Sequence, residues 1–285
     1  MNCFLARLLA ACLAVMTPGY ATAADQEPVR PLVFGVMPYI NTRALLSTYQ
    51  PLAQALEREL KVPLSLQTAP DFDTFIRRVR DGEYDLVLLA PHYARLAEKD
   101  YGYVPLLVHK APIRVVLLTA RDHPLMRVDD LRGQSIAIVE RSALIAIVGA
   151  AWLGGAGLKE GQDYHFVDNV THSSAIHSAI SGKSRAAIVA RATLILAPEE
   201  VQRDIVVFRE IGQIPGLFYE AHNRLTNERR QAIRAALLRF EKSPEGQSFF
   251  AKTAHGGFRD SSREDAAFLD RVLPETRRQI DHLVP

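Results

Sequence analysis

The chain of 285 residues is poor in cysteine and nearly free of net charge. Its two cysteines, Cys3 and Cys12, both lie close to the N-terminus. Everything after them is therefore excluded from disulfides, cysteine nucleophiles, thiolate zinc sites and cysteine-ligated clusters. The 34 Lys and Arg residues against 32 Asp and Glu leave a formal charge of +2, without the basic excess of a dedicated nucleic-acid binder. No segment approaches the roughly 20 consecutive apolar residues needed to span a bilayer. Gly repeats and sustained heptads are also missing, which excludes collagen-like and coiled-coil classes. What is present is an ordinary globular balance, 48% apolar and 23% charged, and that excludes a mainly disordered chain.

The N-terminus reads as an export signal. Arg7 precedes the apolar run Leu8 to Met16, Pro18 and Gly19 break it, and Ala21-Thr22-Ala23 fits an A-x-A cleavage site. Cleavage after Ala23 is expected, so residues 1–23 form the signal peptide. Leu9-Ala10-Ala11-Cys12 offers an alternative, a lipobox in which Cys12 carries a lipid.

Beyond the signal, apolar runs alternate with helical stripes. Leu32 to Val36, Val62 to Gln67 and Tyr84 to Ala90 read as strands. Between them, Asn41-Thr42 can cap a helix carrying Tyr49, Leu52, Leu56 and Leu60. Asp71 can cap another bearing Phe72, Phe75, Ile76 and Val79, stopped at Gly82. A helix from Tyr93 to Lys99 follows the third strand. This β-α-β-α-β-α order implies a mostly parallel sheet covered by helices, with ligand at the carboxyl ends of its strands.

The rhythm resumes with strands at Ile113 to Ala120, Ser135 to Val139, Tyr164 to Val167, Ala186 to Ala190 and Ile205 to Phe208. Helices are expected at Ala143 to Leu153 and His172 to Ile180. The tail is helical: Thr226 caps one helix, Ser243-Pro244 starts another, and Ser261 to Leu273 forms a third.

Several motifs occur in a fixed order: Phe34-Gly35-Val36-Met37-Pro38, Ala69-Pro70-Asp71-Phe72, Gly82-Glu83-Tyr84-Asp85-Leu86, Ala90-Pro91-His92-Tyr93, Asp130-Leu131-Arg132-Gly133, His172 with Ser181-Gly182, and Ser243-Pro244-Glu245-Gly246. Together they resemble the phosphate/phosphite/phosphonate ABC-transporter substrate-binding family. The resemblance implies an α/β type II periplasmic binding protein, with two α/β lobes, a hinge, a cleft between the lobes and a helical C-terminal tail. Residues 24–112 and 220–285 are expected to form the first lobe and 113–219 the second, with crossings near Val108 to Pro112 and Ile211 to Tyr219.

The implied function is a periplasmic solute-binding protein of an ABC importer, binding a small oxyanion of phosphate or phosphonate type. The alternative is a sensory periplasmic binding protein that presents ligand state to a membrane histidine kinase or similar receptor, with a ligand other than a phosphonate. The expected partners are a small anionic solute and an ABC permease, with no nucleic acid, for a monomer without cofactor or metal. Neither G-x-S-x-G nor H-E-x-x-H occurs, so no enzyme is expected.

The candidate ligand-binding residues are Tyr39, Asn41, Thr42, Phe72, Pro91, His92, Arg141, Ser142, His172 and Ser173. Where phosphonate binders of this family carry a Ser-Thr-Ser turn at a helix N-terminus, this chain reads Val139-Glu140-Arg141-Ser142-Ala143-Leu144, with one hydroxyl and a carboxylate. The family's ligand-facing tyrosine after Pro-Asp is Phe72. A second falls at Ile113. His172 keeps the family histidine. Where the family's Gly-x-x-Asp-Ala-Ala pattern holds an aminoalkyl ammonium group, this chain reads Gly182-Lys183-Ser184-Arg185-Ala186-Ala187 without the acid, so an aminoalkylphosphonate is not the expected ligand.

Overall fold

Asn41 and Asp71 set the two helices that flank the first strands. The Asn41 side chain accepts the Ala44 N–H at 2.9 Å, and Asp71 accepts the Thr74 N–H at 2.7 Å. Each thereby satisfies a first-turn donor that the helix cannot. In the computed structural model, which describes residues 30–280, the first segment runs β1 (Leu32–Val36), α1 (Thr42–Leu60), β2 (Leu64–Gln67), α2 (Phe72–Arg80), β3 (Leu86–Leu89), α3 (Pro91–Asp100) and β4 (Tyr103–His109). The expected signal segment, with Cys3 and Cys12, lies outside the described residues. Helix α1 buries Leu45, Tyr49, Leu52 and Leu56, and α2 buries Phe72, Phe75, Ile76 and Val79. Gly82, at φ +67, turns the chain after α2 where a side chain would be strained.

The middle segment runs β5 (Ile113–Ala120), a 3-10 turn (Val128–Leu131), β6 (Gln134–Ile138), α4 (Leu144–Gly155), β7 (Tyr164–Asp168), α5 (His172–Ile180), β8 (Ala186–Ala190), α6 (Arg191–Ile195), α7 (Glu199–Arg203) and β9 (Ile205–Ile214). The chain then returns through β10 (Phe218–His222), α8 (Asn227–Lys242), α9 (Pro244–Thr253), β11 (Phe258–Arg259) and α10 (Arg263–Ile280).

Two sheets result. One is ordered β11-β4-β10-β3-β1-β2 and the other β7-β6-β8-β5-β9. Residues 110–112 and 215–217 carry the chain from one sheet to the other and back. This is the two-lobed α/β architecture expected from the resemblance, but neither sheet is mostly parallel. In the first, β1 pairs parallel with β2 and β3, whereas β10 runs antiparallel between β3 and β4. In the second, β5 is antiparallel to both β8 and β9. Parallel neighbours arise from local β-α-β crossovers. The antiparallel strands are those that enter or leave a lobe.

Strands β4, β10 and β11 and the short helices α6 and α7 go beyond the elements read from the sequence. Pro105 lies within β4 and lacks a ladder N–H. The register between β4 and β10 shifts between Tyr219 and Glu220, opposite Leu107 and Pro105, so a bulge accommodates the proline. Pro91 begins α3 rather than ending β3. The last helix extends through Pro274 to Ile280, well past Leu273. Among the described residues no helix is long and apolar enough to cross a membrane.

A buried ion pair ties the first sheet together. Asp85 Oδ2 accepts the Val33 N–H at 2.9 Å, and Arg224 donates Nε to Oδ1 at 2.9 Å with Nη2 at 2.8 Å. The His222 N–H, at the end of β10, donates to the Asp85 carbonyl. Asp85→Ala would leave the Val33 N–H without its acceptor and the partly exposed Arg224 guanidinium with only the Gly82 carbonyl. We expect a loss of about 3 kcal/mol, read as a lower urea midpoint at unchanged m-value; an unchanged midpoint would show that the pair is not structural.

Candidate functional site

The carboxyl ends of the strands in both sheets face one another across a cavity of about 340 Å³. Met37 and Tyr39 follow β1, Phe72 opens α2, and Ala90 with His92 spans the β3–α3 junction. The second sheet contributes Val139, Ala143, Leu144 and Ile145 after β6, His172 at the start of α5, and Ala190 to Thr193 after β8. His255, from the loop after α9, closes one side together with Ile214 and Leu217 from the returning connection.

Three helices, α3, α4 and the short α6, begin here without a side-chain cap. The N-cap of α3 is Ala90 and that of α4 is Ala143. In α3 Pro91 brings no N–H, and in α4 the Ala146 N–H donates to the Ala143 carbonyl at 2.8 Å. The remaining first-turn N–H groups have no side-chain cap, and the positive ends of the α3 and α4 dipoles meet the cavity. Helices α1, α2 and α5 by contrast are capped by Asn41, Asp71 and Thr171. The short α7 is also uncapped, away from the cavity, but the longer α3 and α4 bring their open ends to it, where they can bind an anion.

Three buried histidines line the same space: His92, His172 and His255. Burial pulls His92 down to about 3, opposed in part by the Ser142 backbone. Burial alone holds His172 at about 4 and His255 at about 3. All three are neutral at neutral pH. The Nδ1 of His172 and the Nε2 of His255 make no hydrogen bond within the protein. A buried polar atom without a partner is uncommon, and at a cavity wall it is available to a ligand.

The ten residues expected from the sequence separate into three groups. Tyr39, Phe72, His92 and His172 line the cavity. Arg141 and Ser142 line a shallower depression beside it, with Asp71, Asp73, Glu140 and Asp168. The Arg141 guanidinium is exposed, bonded to Glu160, 3.9 Å from Asp168, and over the Phe166 ring. Ser142 donates to Glu140 at 2.6 Å. Asn41, Thr42, Pro91 and Ser173 are not among the lining residues: Asn41 and Thr42 are exposed at the start of α1, Pro91 is buried at the first position of α3, and Ser173 is half-buried in α5. Leu144, Ile145 and His255 line the cavity without having been singled out. The helical pattern of 143–153 placed the first two in an ordinary helix, and nothing local marks His255.

Direct contacts join the two sides. Tyr93 Oη donates to Glu140 Oε1 at 2.7 Å and lies 2.9 Å from Ser142 Oγ. The His172 N–H donates to the Tyr39 carbonyl at 3.2 Å. Burial raises the Glu140 carboxyl above its ordinary range against the lowering effect of the two hydroxyls, and Asp73 and Asp168 add repulsion.

Two α/β lobes around an interlobe cavity are the architecture of type II periplasmic binding proteins. Residues 34–266 match the family described as ABC transporter, phosphonate, periplasmic substrate-binding protein, and the chain belongs to that family. Among solved structures it is similar to a binding-protein component of an ABC phosphonate transporter from Pseudomonas aeruginosa, at 15% identity and TM-score 0.73, covering 88% of this chain and 89% of that one. It is equally similar to PhnD1 from Prochlorococcus marinus in complex with methylphosphonate, at 13% identity and TM-score 0.73, covering 88% and 98%. A protein from Xanthomonas citri bound to chloride ion matches at 17% identity and TM-score 0.66, covering 88% and 99%. At these identities the likeness is one of fold. No curated protein sequence matches the chain.

The depressed histidines give the protein an acid-sensitive stability. Below pH 6.5 the unfolded chain takes up protons that folded His172 refuses until about pH 4, so stability falls as the pH drops through that window. Protonation of Glu140 and Glu220, both raised by burial, acts in the opposite sense. His172→Gln should remove about 3 kcal/mol of the loss between pH 7 and pH 4. Urea unfolding of both proteins at the two pH values checks this; an unchanged pH difference would mean that His172 is not buried neutral.

Proposed function

We propose that this protein is the solute-binding component of an ABC importer and that it holds a small oxyanion of phosphate or phosphonate type in the interlobe cavity. Its family operates in the periplasm and serves phosphonate ABC transporters. That supplies the role of binding protein, a small solute as ligand and a permease as partner. The observation that carries the oxyanion reading is the free Nδ1 of His172 on a cavity wall that also holds the open N-termini of α3 and α4. Neutral imidazole N–H and backbone N–H donors favour an acceptor-rich ligand over a cation.

In this reading the lobes follow the expected division, 24–112 with 220–285 and 113–219, except that Phe218 and Tyr219 pair within the first sheet and go with the first lobe, and the protein acts as a monomer. Opening and closing turn on the connections at 110–112 and 215–217. The Tyr93–Glu140 and His172–Tyr39 hydrogen bonds are made on closure. Ligand shifts the population toward the closed form only through its greater affinity for that form, and the permease reads the closed form. Tyr39 and Phe72 act as walls, while His92 and His172 act as donors. Asn41, Thr42, Pro91 and Ser173 shape the loops that carry these groups. Nothing in the cavity favours a signalling role over delivery to a permease.

A thermal-shift screen against phosphate, phosphite, alkylphosphonates and sulfate tests the reading. Ligand at 100 times its dissociation constant should add about 2.7 kcal/mol of stability. His172→Ala should weaken binding of the responding anion at least about tenfold, the loss of roughly one good hydrogen bond to charge, with an unchanged circular dichroism spectrum. Full affinity in the variant would remove His172 from the site.

A further inference from the structure

The charge inventory of the cavity is as informative as its donors. Among the described residues no charged side chain is buried in its wall. The two arginines that reach it, Arg114 and Arg191, are both exposed at the rim, and Arg114 already lies 3.7 Å from Glu210. Arg141, the cation nearest the start of α4, is outside the cavity and held by Glu160 and Asp168. The three histidines are neutral. On the side of the adjoining depression stand Asp73, Glu140 and Asp168, which repel added negative charge.

Desolvation of an ion grows with the square of its charge, while its attraction to neutral dipoles grows only linearly. A doubly charged anion therefore faces about four times the desolvation cost of a singly charged one for twice the return. A wall of neutral N–H donors can balance one negative charge here, but not two.

The remaining surface is apolar. Met37, Leu88, Leu144, Ile145, Ile214 and Leu217 line the cavity. Ile195, one of the few large apolar residues left exposed (47%), is also part of its lining. A volume of about 340 Å³ lies within the range of cavities that enclose organic ligands. It far exceeds what a tetrahedral oxyanion, the size of a few waters, can fill. The donors take up only part of the lining and leave an apolar space that such an ion would leave empty or wet.

We propose that the ligand is a singly charged organic oxyanion with an apolar body of several carbons, its charged head at the N-termini of α3 and α4 and its body against Leu144, Ile214 and Ile195. This rests on the oxyanion reading and narrows it: inorganic phosphate and methylphosphonate are poor ligands, and longer alkyl- or arylphosphonates, their monoesters, or alkanesulfonates are good ones.

Isothermal titration of the purified protein with alkylphosphonates and alkanesulfonates of one, four and eight carbons, together with phosphate and an eight-carbon alkylammonium, tests it. Affinity should rise about fourfold for each methylene buried until the cavity is full. Phosphate should be the weakest anion and the alkylammonium should be silent. Ile195→Asn should weaken the eight-carbon anions more than the one-carbon ones, and an unchanged melting temperature would confirm that it is folded. A series that is flat, or tightest for phosphate or methylphosphonate, overturns the apolar-body inference while leaving the oxyanion reading intact. Tighter binding of the alkylammonium than of the matched anions, or no response to any anion, overturns both.

Discussion

Much of this molecule follows from one placement: β10 lies between β3 and β4 and pairs antiparallel with each. The chain leaves the first sheet at the end of β4, builds the second sheet, and re-enters through β10 at the centre of the first. The outgoing and returning connections are thus forced to run side by side, at 110–112 and 215–217. Gly216 makes their close approach physically visible, since a Cβ there would meet the His109 carbonyl at 2.4 Å. With the two crossings adjacent, the strand ends of both sheets must face one another, and the space between them becomes the cavity.

Within that frame the site is built from dipoles rather than fixed charges. Helices α1, α2, α5, α8 and α9 spend side chains on their first turns, whereas α3 and α4 present bare N-termini. Each needs outside support to be held in place. Helix α3 receives it from α10 through two bidentate pairs, Arg95 with Asp270 and Arg277 with Asp100. Such geometry gives directional restraint beyond that of a point contact. The last helix of the chain therefore positions one wall of the cavity without touching it.

The fold was legible where a local pattern coincided with a local cause. The alternation from β1 to α3 and the cap at Asn41 are written in adjacent residues, as are the α2 stripe and the His172–Ile180 helix. Strands β4 and β10 were hidden because their signals are mixed: Pro105 interrupts one, and Glu220 sits fully buried in the other. The antiparallel pairing was equally hidden, since it depends on where the chain returns. For the site, strand ends and helix starts pointed to Tyr39, Phe72, His92 and His172. They could not reveal that Glu160, distant in sequence, occupies Arg141. Nor could they bring His255 to the cavity, because its place is set by the loop after α9. Patterns within a window report on elements, while pairings across the chain decide which charges are free.

The same central placement of β10 also orders assembly in time. The second sheet draws all its strands from one uninterrupted stretch, 113–214, so it can complete itself as soon as that stretch is available. The first sheet cannot. Until β10 arrives, β3 and β4 are open edges with unpaired backbone groups, and β4 has no partner at all among the strands made before it. Such edges are templates for association with other chains, and closing them requires contacts of long sequence separation, which form slowly. The half-built first lobe is therefore the stage at which this protein is most exposed to aggregation, and β10, then β11, end that exposure as they pair with its open edges.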